Sequence, residues 1–183
     1  DTFGGTSSAT PLVSGIIALM LEANANLSWR DVQHILVLTS RQNDASDQSW
    51  NINGANHDVS HKYGYGVIDA GAAVSMAATW VSVANETSTT SGTLDCIQCD
   101  IPDNSANLVS VNVTVSEAIL IENVDVIVDI PHAFRGDLEI ILTSPDGTES
   151  VLSEKHDDSG NNYDNWRFST VHHWDEDSRG EWT

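Results

Sequence analysis

At 183 residues with 40% apolar side chains, the chain is long enough for one substantial core or two small domains, which excludes a disordered segment. Its 27 acidic and 7 basic side chains give a formal charge of −20, which excludes a nucleic-acid surface of clustered Lys and Arg and disfavours an anionic membrane. The acidity reads first as a solvated surface and second as a field that attracts basic substrates. No apolar run reaches the ~18 residues that a bilayer span needs, so no membrane segment is expected.

The first element is signalled by Gly5-Thr6-Ser7-Ser8-Ala9-Thr10-Pro11 running into the apolar stretch from Leu12 to Leu21, a helix expected to reach about Asn24. A serine hydroxyl is a weak nucleophile at its own pKa; it needs a fixed geometry, a neighbouring base and donors for a developing oxyanion. Ser7 at the mouth of a helix has the geometry. Its own N–H supplies one donor, because first-turn N–H groups lack intrahelical partners and the dipole favours negative charge. Gly4 and Gly5 allow close backbone approach, Ser8 and Ala9 are small, and Pro11 is expected to cost little near the first turn. The plain alternative for a Ser or Thr ahead of an apolar run is a helix cap. The helix is apolar nearly all round, as a central core helix is.

Ser28 followed three residues later by Asp31 predicts a capping box and a helix through about Thr39, with Val32, Ile35, Leu36 and Leu38 on its apolar side. His34 on that helix reads as packed rather than as a base. Residues 41–62, rich in Asn, Asp, Ser and His, predict a long surface loop, in which His57 and His61 are structural or surface side chains rather than metal ligands. Tyr63-Gly64-Tyr65-Gly66 then leads to a third helix from Ala70 to Trp80, with Asp69 as N-cap. Residues 85–92 are the linker candidate.

Cys96 and Cys99 are the only cysteines. A four-ligand zinc site would need partners that are not visible, and a redox dithiol lacks its βαβ setting. A local structural disulfide in an oxidising compartment is the preferred reading, with free thiols next.

Beyond the linker the period falls to two. Val109, Val111, Val113 and Val115 alternate with polar residues, as do Val124, Val126, Val128 and Ile130; Leu138 to Thr143 is another strand, and Pro145-Asp146-Gly147 is turn chemistry leading to Val151 and Leu152. This is the pattern of an antiparallel sandwich or jelly roll, interrupted before completion. Arg135-Gly136-Asp137 reads as a turn between strands rather than an adhesion tripeptide. Asp157, Asp158, Asn161, Asn162 and Asp164 form an oxygen-rich loop whose spacing misses the EF-hand pattern, and Asp175-Glu176-Asp177 reads as a solvated turn. The sequons at Asn26, Asn85 and Asn112 are read as unused.

The segment from Gly5 to Pro11 resembles the nucleophile segment of subtilisin-like serine proteases. Leu21-Glu22-Ala23-Asn24-Ala25-Asn26-Leu27-Ser28-Trp29-Arg30-Asp31 and Val59-Ser60-His61-Lys62-Tyr63-Gly64-Tyr65-Gly66-Val67-Ile68-Asp69-Ala70-Gly71 resemble its kexin and furin branch, the proprotein convertases. Gly136-Asp137-Leu138, Ser144-Pro145-Asp146-Gly147-Thr148, Val171-His172-His173-Trp174-Asp175-Glu176-Asp177 and Gly180-Glu181-Trp182 resemble the P domain of that branch.

The resemblance implies the C-terminal, mostly helical portion of an α/β subtilisin-like catalytic domain at residues 1–84, a linker at 85–92, and the N-terminal part of an all-β jelly-roll or sandwich P domain at 93–183. It implies a serine endopeptidase that cleaves proteins or proproteins after basic or paired basic residues through an acyl-enzyme on Ser7. The family order along the chain is Asp, His, Ser, so the catalytic Asp and His are expected upstream of this chain, which alone is expected to be inactive. It further implies Ca2+ with ligands mostly outside the chain, no other cofactor site and no assigned metal ligand. The expected partners are polypeptide substrates and the upstream part of its own catalytic domain, and the expected localisation is secreted or in the lumen of the secretory pathway. Trp174 and Trp182 are expected to anchor the P domain against the catalytic part. Two rival readings are a noncatalytic β-sandwich binding or stabilising module with a relic protease segment, and a broad-specificity secreted subtilisin.

Overall fold

The computed structural model describes residues 4–94, 101–102 and 108–183. Cys96 and Cys99, the disulfide candidates, lie outside the described residues. The chain divides into two compact units, one of Asp1–Gln48 with Lys62–Glu86 and one of Ser49–His61 with Thr87–Thr183.

The first unit is helical: α1 (Thr6–Ala23), α2 (Trp29–Thr39) and α3 (Ala70–Ala77). Met20, Val32, Ile35, Ala73 and Ala77 form its core, with Ile16, Ile17, Leu27, Val74, Met76 and Trp80 packed against them. The small alanines on α3 let the three helices approach closely. At the head of α2 the Ser28 hydroxyl accepts from Asp31 N–H, and the Asp31 carboxylate accepts from Ser28 N–H at 2.7 Å, the expected capping box. The other oxygen of Asp31 accepts from Trp80 Nε1 at 2.9 Å and Val83 N–H at 2.8 Å, so one buried carboxylate ties the start of α2 to the segment after α3. Burial opposes its charge, but the hydrogen bonds from Ser28, Val83 and Trp80 outweigh that and hold the carboxyl well below the usual range. Asn24 caps the end of α1 and donates to Ala77 O at 3.1 Å.

Two expectations about α1 are corrected. The apolar run is expected to fall short of a bilayer span, yet at 18 residues α1 is long and apolar enough to cross a membrane by length and composition alone. The same composition marks a core helix, but here only Met20 is buried, while Leu12 is 71% and Leu19 51% exposed. No described residue covers the face that carries them.

The second unit is built of antiparallel strand pairs. A short hairpin, β1 (Asn51–Ile52) with β2 (Asp58–Val59), stands in the stretch expected to be a surface loop. The remaining strands are β3 (Val113–Val115), β4 (Val124–Ile130), β5 (Ile140–Thr143), β6 (Glu149–Ser153), β7 (Tyr163–Thr170) and β8 (Gly180–Trp182). They pair β3 with β8, β4 with β7 and β5 with β6. Alternation along β4 is as expected, with its valines half-buried and Asp125, Ile127 and Asp129 outward. Ile121, Leu142 and Trp182 form the core, with Val113, Val115, Val124, Val126 and Leu152 around them. The Trp182 indole N–H donates to Ser178 O at 2.9 Å, which satisfies its one polar atom inside that core. Residues 109–112 do not join β3, and Asp164, expected in a loop, lies in β7. Asn165, at positive φ inside β7, and the register shift opposite it between Val128 and Ile130 break the period of β7, which is why its alternation is not legible.

Arg135–Asp137 forms one turn of 3-10 helix between β4 and β5. The Arg135 guanidinium is held by Asp158 at 2.7 Å and lies over the Trp166 ring, so the tripeptide is a structural turn.

Candidate active site

Gly5 is the N-cap of α1 with φ 86° and ψ 175°, a left-handed-side conformation that a side chain would strain. Its carbonyl accepts from Ser8 N–H at 3.1 Å and Ala9 N–H at 3.4 Å, which starts the helix and places Thr6 and Ser7 in its first turn. At that position the Ser7 N–H has no intrahelical acceptor, as an oxyanion donor requires. Ser7 is exposed.

The neighbouring hydroxyls are turned back on the backbone. Ser8 Oγ donates to Gly4 O at 3.0 Å, Thr10 Oγ1 to Thr6 O at 2.9 Å and Ser14 Oγ to Thr10 O at 3.1 Å. Ser7 makes no such bond to any described residue. Pro11 stands inside α1 rather than at its first turn, so the expectation that it costs little is corrected. Four residues after Ser7, it removes the N–H that the Ser7 carbonyl would otherwise accept, which leaves that carbonyl outside the helical ladder. Gly5, Ser8, Ala9, Pro11 and Leu12 line a shallow open depression beside it.

No general base is assembled at Ser7 among the described residues. His34 stacks on Trp80, with ring centroids 6.3 Å apart, in the helical unit, as a packed side chain. His57 Nε2 lies 2.9 Å from Asp175 Oδ2 in the second unit, where His61 stacks at 3.9 Å on His172. Burial, with His61 and His173 nearby, pushes the His172 ring down to about 4, so it stays neutral. Among the described residues no three His, Cys, Asp or Glu side chains gather as metal ligands. In the oxygen-rich loop Asp158 is committed to Arg135 and to Gly160 N–H.

One buried polar group escaped the sequence reading. Glu176, expected in a solvated turn, is 2% exposed; it accepts from the Thr148 hydroxyl and from Gly54 N–H at 2.8 Å, and His173 Nδ1 lies 3.5 Å from its other oxygen. Burial alone would push this carboxyl up, but His173, Thr148, Ser144 and the Gly54 N–H pull it down to about 2. Three acidic residues in a row carry no signal that the middle one points inward. Trp174 and Trp182 are both buried, and Trp182 sits in the core of the second unit.

Residues 1–66 match the model of the subtilase family, and residues 121–183 match that of the proprotein convertase P-domain. Over its whole length the chain is 43% identical to proprotein convertase subtilisin/kexin type 4 of Rattus norvegicus, 41% to Furin-1 of Xenopus laevis and 41% to furin of Homo sapiens. It spans 28%, 24% and 23% of those relatives. In structure, 99% of the chain superposes on 37% of a serine protease of Aeromonas sobria with a TM-score of 0.89 and 25% identity. The same protease in complex with its chaperone gives a TM-score of 0.87. The chain belongs to the subtilisin-like serine proteases, in their kexin and furin branch, the proprotein convertases.

Proposed function

We propose that the protein carrying this chain is a serine endopeptidase that cleaves polypeptides after basic or paired basic residues, with Ser7 as nucleophile. The observation that carries this reading is the isolation of Ser7. In a first turn capped by Gly5, the hydroxyls of Ser8 and Thr10 are bonded to the backbone, whereas that of Ser7 bonds to no described residue. In acylation Ser7 Oγ bonds to the scissile carbonyl carbon, its proton passes to a histidine outside this chain, and the carbonyl oxygen takes up negative charge facing the Ser7 N–H. The C–N bond then breaks, the histidine's proton leaves with the amine, and water hydrolyses the acyl-enzyme by the same route.

In this reading residues 1–84 complete the catalytic domain, 85–92 are the linker, and 93–183 begin a jelly-roll P domain. The exposed face of α1 is covered by the upstream part of that catalytic domain, a partner the chain needs in order to be active. The strand pairs and the P-domain match at 121–183 support the β assignment. The protein works outside the cytosol, in the secretory lumen or secreted, as its named relatives suggest. The calcium implied by the resemblance finds no ligand set among the described residues, and the reading assigns none of them to it. The test is hydrolysis of a fluorogenic peptide ending in paired arginines by the full-length protein. Ser7→Ala should lower turnover on the order of 10⁶-fold while the fold survives. Equal turnover on peptides with apolar residues at the cleavage site would favour the broad-specificity subtilisin; no turnover by the wild type would favour the noncatalytic module.

A further inference from the structure

The chain carries three Asn-X-Ser/Thr sequons, at Asn26, Asn85 and Asn112, which its sequence alone reads as unused. Attachment of an N-linked oligosaccharide draws on two groups of such a motif at once, the asparagine amide and the hydroxyl two residues on. The product then needs room at the surface for a bulky, hydrated chain. On those terms the three sites differ.

At Asn26 and Asn112 folding engages part of the motif. Asn26 lies in the turn between α1 and α2, and its partner Ser28 is the N-cap of α2. The Ser28 hydroxyl accepts from Asp31 N–H at 3.1 Å and donates to the Asp31 carboxylate at 2.7 Å. Asn112 stands directly before β3, where its Oδ1 accepts from the Thr183 hydroxyl at 3.2 Å. Val113 and Thr114 are already in that strand, opposite Trp182 and Glu181.

Asn85 is placed differently. Just before it, Val83 N–H donates to Asp31 at 2.8 Å and the Ala84 carbonyl accepts from Arg30 at 2.6 Å, which holds the chain to the helical unit up to that point. Beyond it, neither the Asn85 amide nor the Thr87 hydroxyl bonds to any described residue. Residues 81–94 form neither helix nor strand, and Asn85, Glu86, Thr87 and Ser88 are all exposed. Both groups of this motif therefore stay as open in the folded protein as in the nascent chain, and the middle position is Glu86 rather than the proline that would bar it.

We propose that Asn85 carries an N-linked oligosaccharide that stands clear of the fold. This rests on the secretory location given above, because the donor, an oligosaccharide carried on a polyprenyl diphosphate, belongs to that lumen. In the transfer, Asn85 Nδ2 forms a bond to the anomeric carbon of the sugar while the bond from that carbon to the diphosphate oxygen breaks. The electron pair of the broken bond leaves with the polyprenyl diphosphate, and one amide proton passes to a base of the transferase. Nothing is oxidised or reduced.

The experiment compares the full-length protein, expressed in a eukaryotic cell line, with Asn85→Gln, Thr87→Ala and the control Ser88→Ala, which leaves the motif intact. Each is treated without denaturant with a peptide-N-glycosidase in heavy-oxygen water. That enzyme frees an N-glycan and leaves a labelled aspartate where the glycan stood, which mass spectrometry of the peptides then locates. In the wild type and the control, most copies of the peptide containing Asn85 should carry the label. Asn85→Gln and Thr87→Ala should lack it and run on a gel as lighter by one glycan. Thr87→Ala keeps the asparagine and removes only the hydroxyl, so it separates use of the motif from simple deamidation. An unlabelled Asn85 in protein recovered from the medium would overturn the proposal. So would label that persists in Thr87→Ala, label gained only after denaturation, or sugar found on the Ser and Thr hydroxyls of the segment instead. Each of those failures leaves the secretory location and the role of Ser7 standing, since neither catalysis nor secretion is the readout. Wild-type protein confined to the cytosol would overturn the location, and this proposal with it.

Discussion

Ser7 and Ser8 are adjacent hydroxyls with different fates. The Ser8 hydroxyl is spent on Gly4 O, a bond invisible in the sequence that supports Ser7 over Ser8 as the proposed nucleophile. The seven-residue pattern brought both serines to the helix mouth, but the choice rested on resemblance. Glu176 shows the converse, a charged residue whose role is entirely structural. Its folded-state value of about 2 lies below the ordinary value of 4.5. The stability it contributes is therefore present above about pH 4.5 and is lost as the pH falls from there toward 2. Glu176→Gln in the full-length protein should cost about 2–3 kcal/mol at pH 7, and the gap to wild type should close as the pH falls through that window. Urea denaturation at pH 7 and pH 3 checks both; a pH-independent difference would mean that the loss is one of packing rather than charge.

At the scale of elements, what could be read in advance was whatever rests on local periodicity and caps. The helices, the Ser28–Asp31 box, the Asp69 cap and β4 all announce themselves within a few residues. The β1–β2 hairpin and β7 did not. Two-residue strands have no period to detect, and β7 is interrupted by Asn165 at positive φ. Asp31 was legible as a cap but not as a tie, because its acceptance from Trp80 and Val83 spans about fifty residues of sequence. Asp31→Asn keeps one accepting oxygen and turns an amide N–H₂ toward donors. It should lower stability by about 2–3 kcal/mol, read from the urea midpoint of the full-length protein. Gly66→Ala should be worse than an ordinary loop substitution. Gly66 has φ 113°, and its Cβ would lie 2.2 Å from Arg41 O, where the bridge between Arg41 and Val67 holds the backbone.

For the molecule as a whole, the helical unit carries the proposed nucleophile, while the β unit shows no assembled catalytic side chains among its described residues. Its contribution should therefore be stability. Trp182→Ala, which empties a side chain 5% exposed in the β core, should cost about 3–5 kcal/mol, and lost activity should follow lost folded protein with KM unchanged in the remainder. Residual activity after heating, measured alongside the folded fraction, checks this. The full-length protein truncated after Gly92 should likewise inactivate at a lower temperature than the intact one. The account's central claim is that Ser7 is the nucleophile, and mapping a fluorophosphonate adduct on the full-length protein by mass spectrometry tests it most directly. The adduct is expected on Ser7 alone, absent in Ser7→Ala and blocked by a basic peptide substrate. An adduct on Ser8, or labelling that persists undiminished in Ser7→Ala, would contradict it.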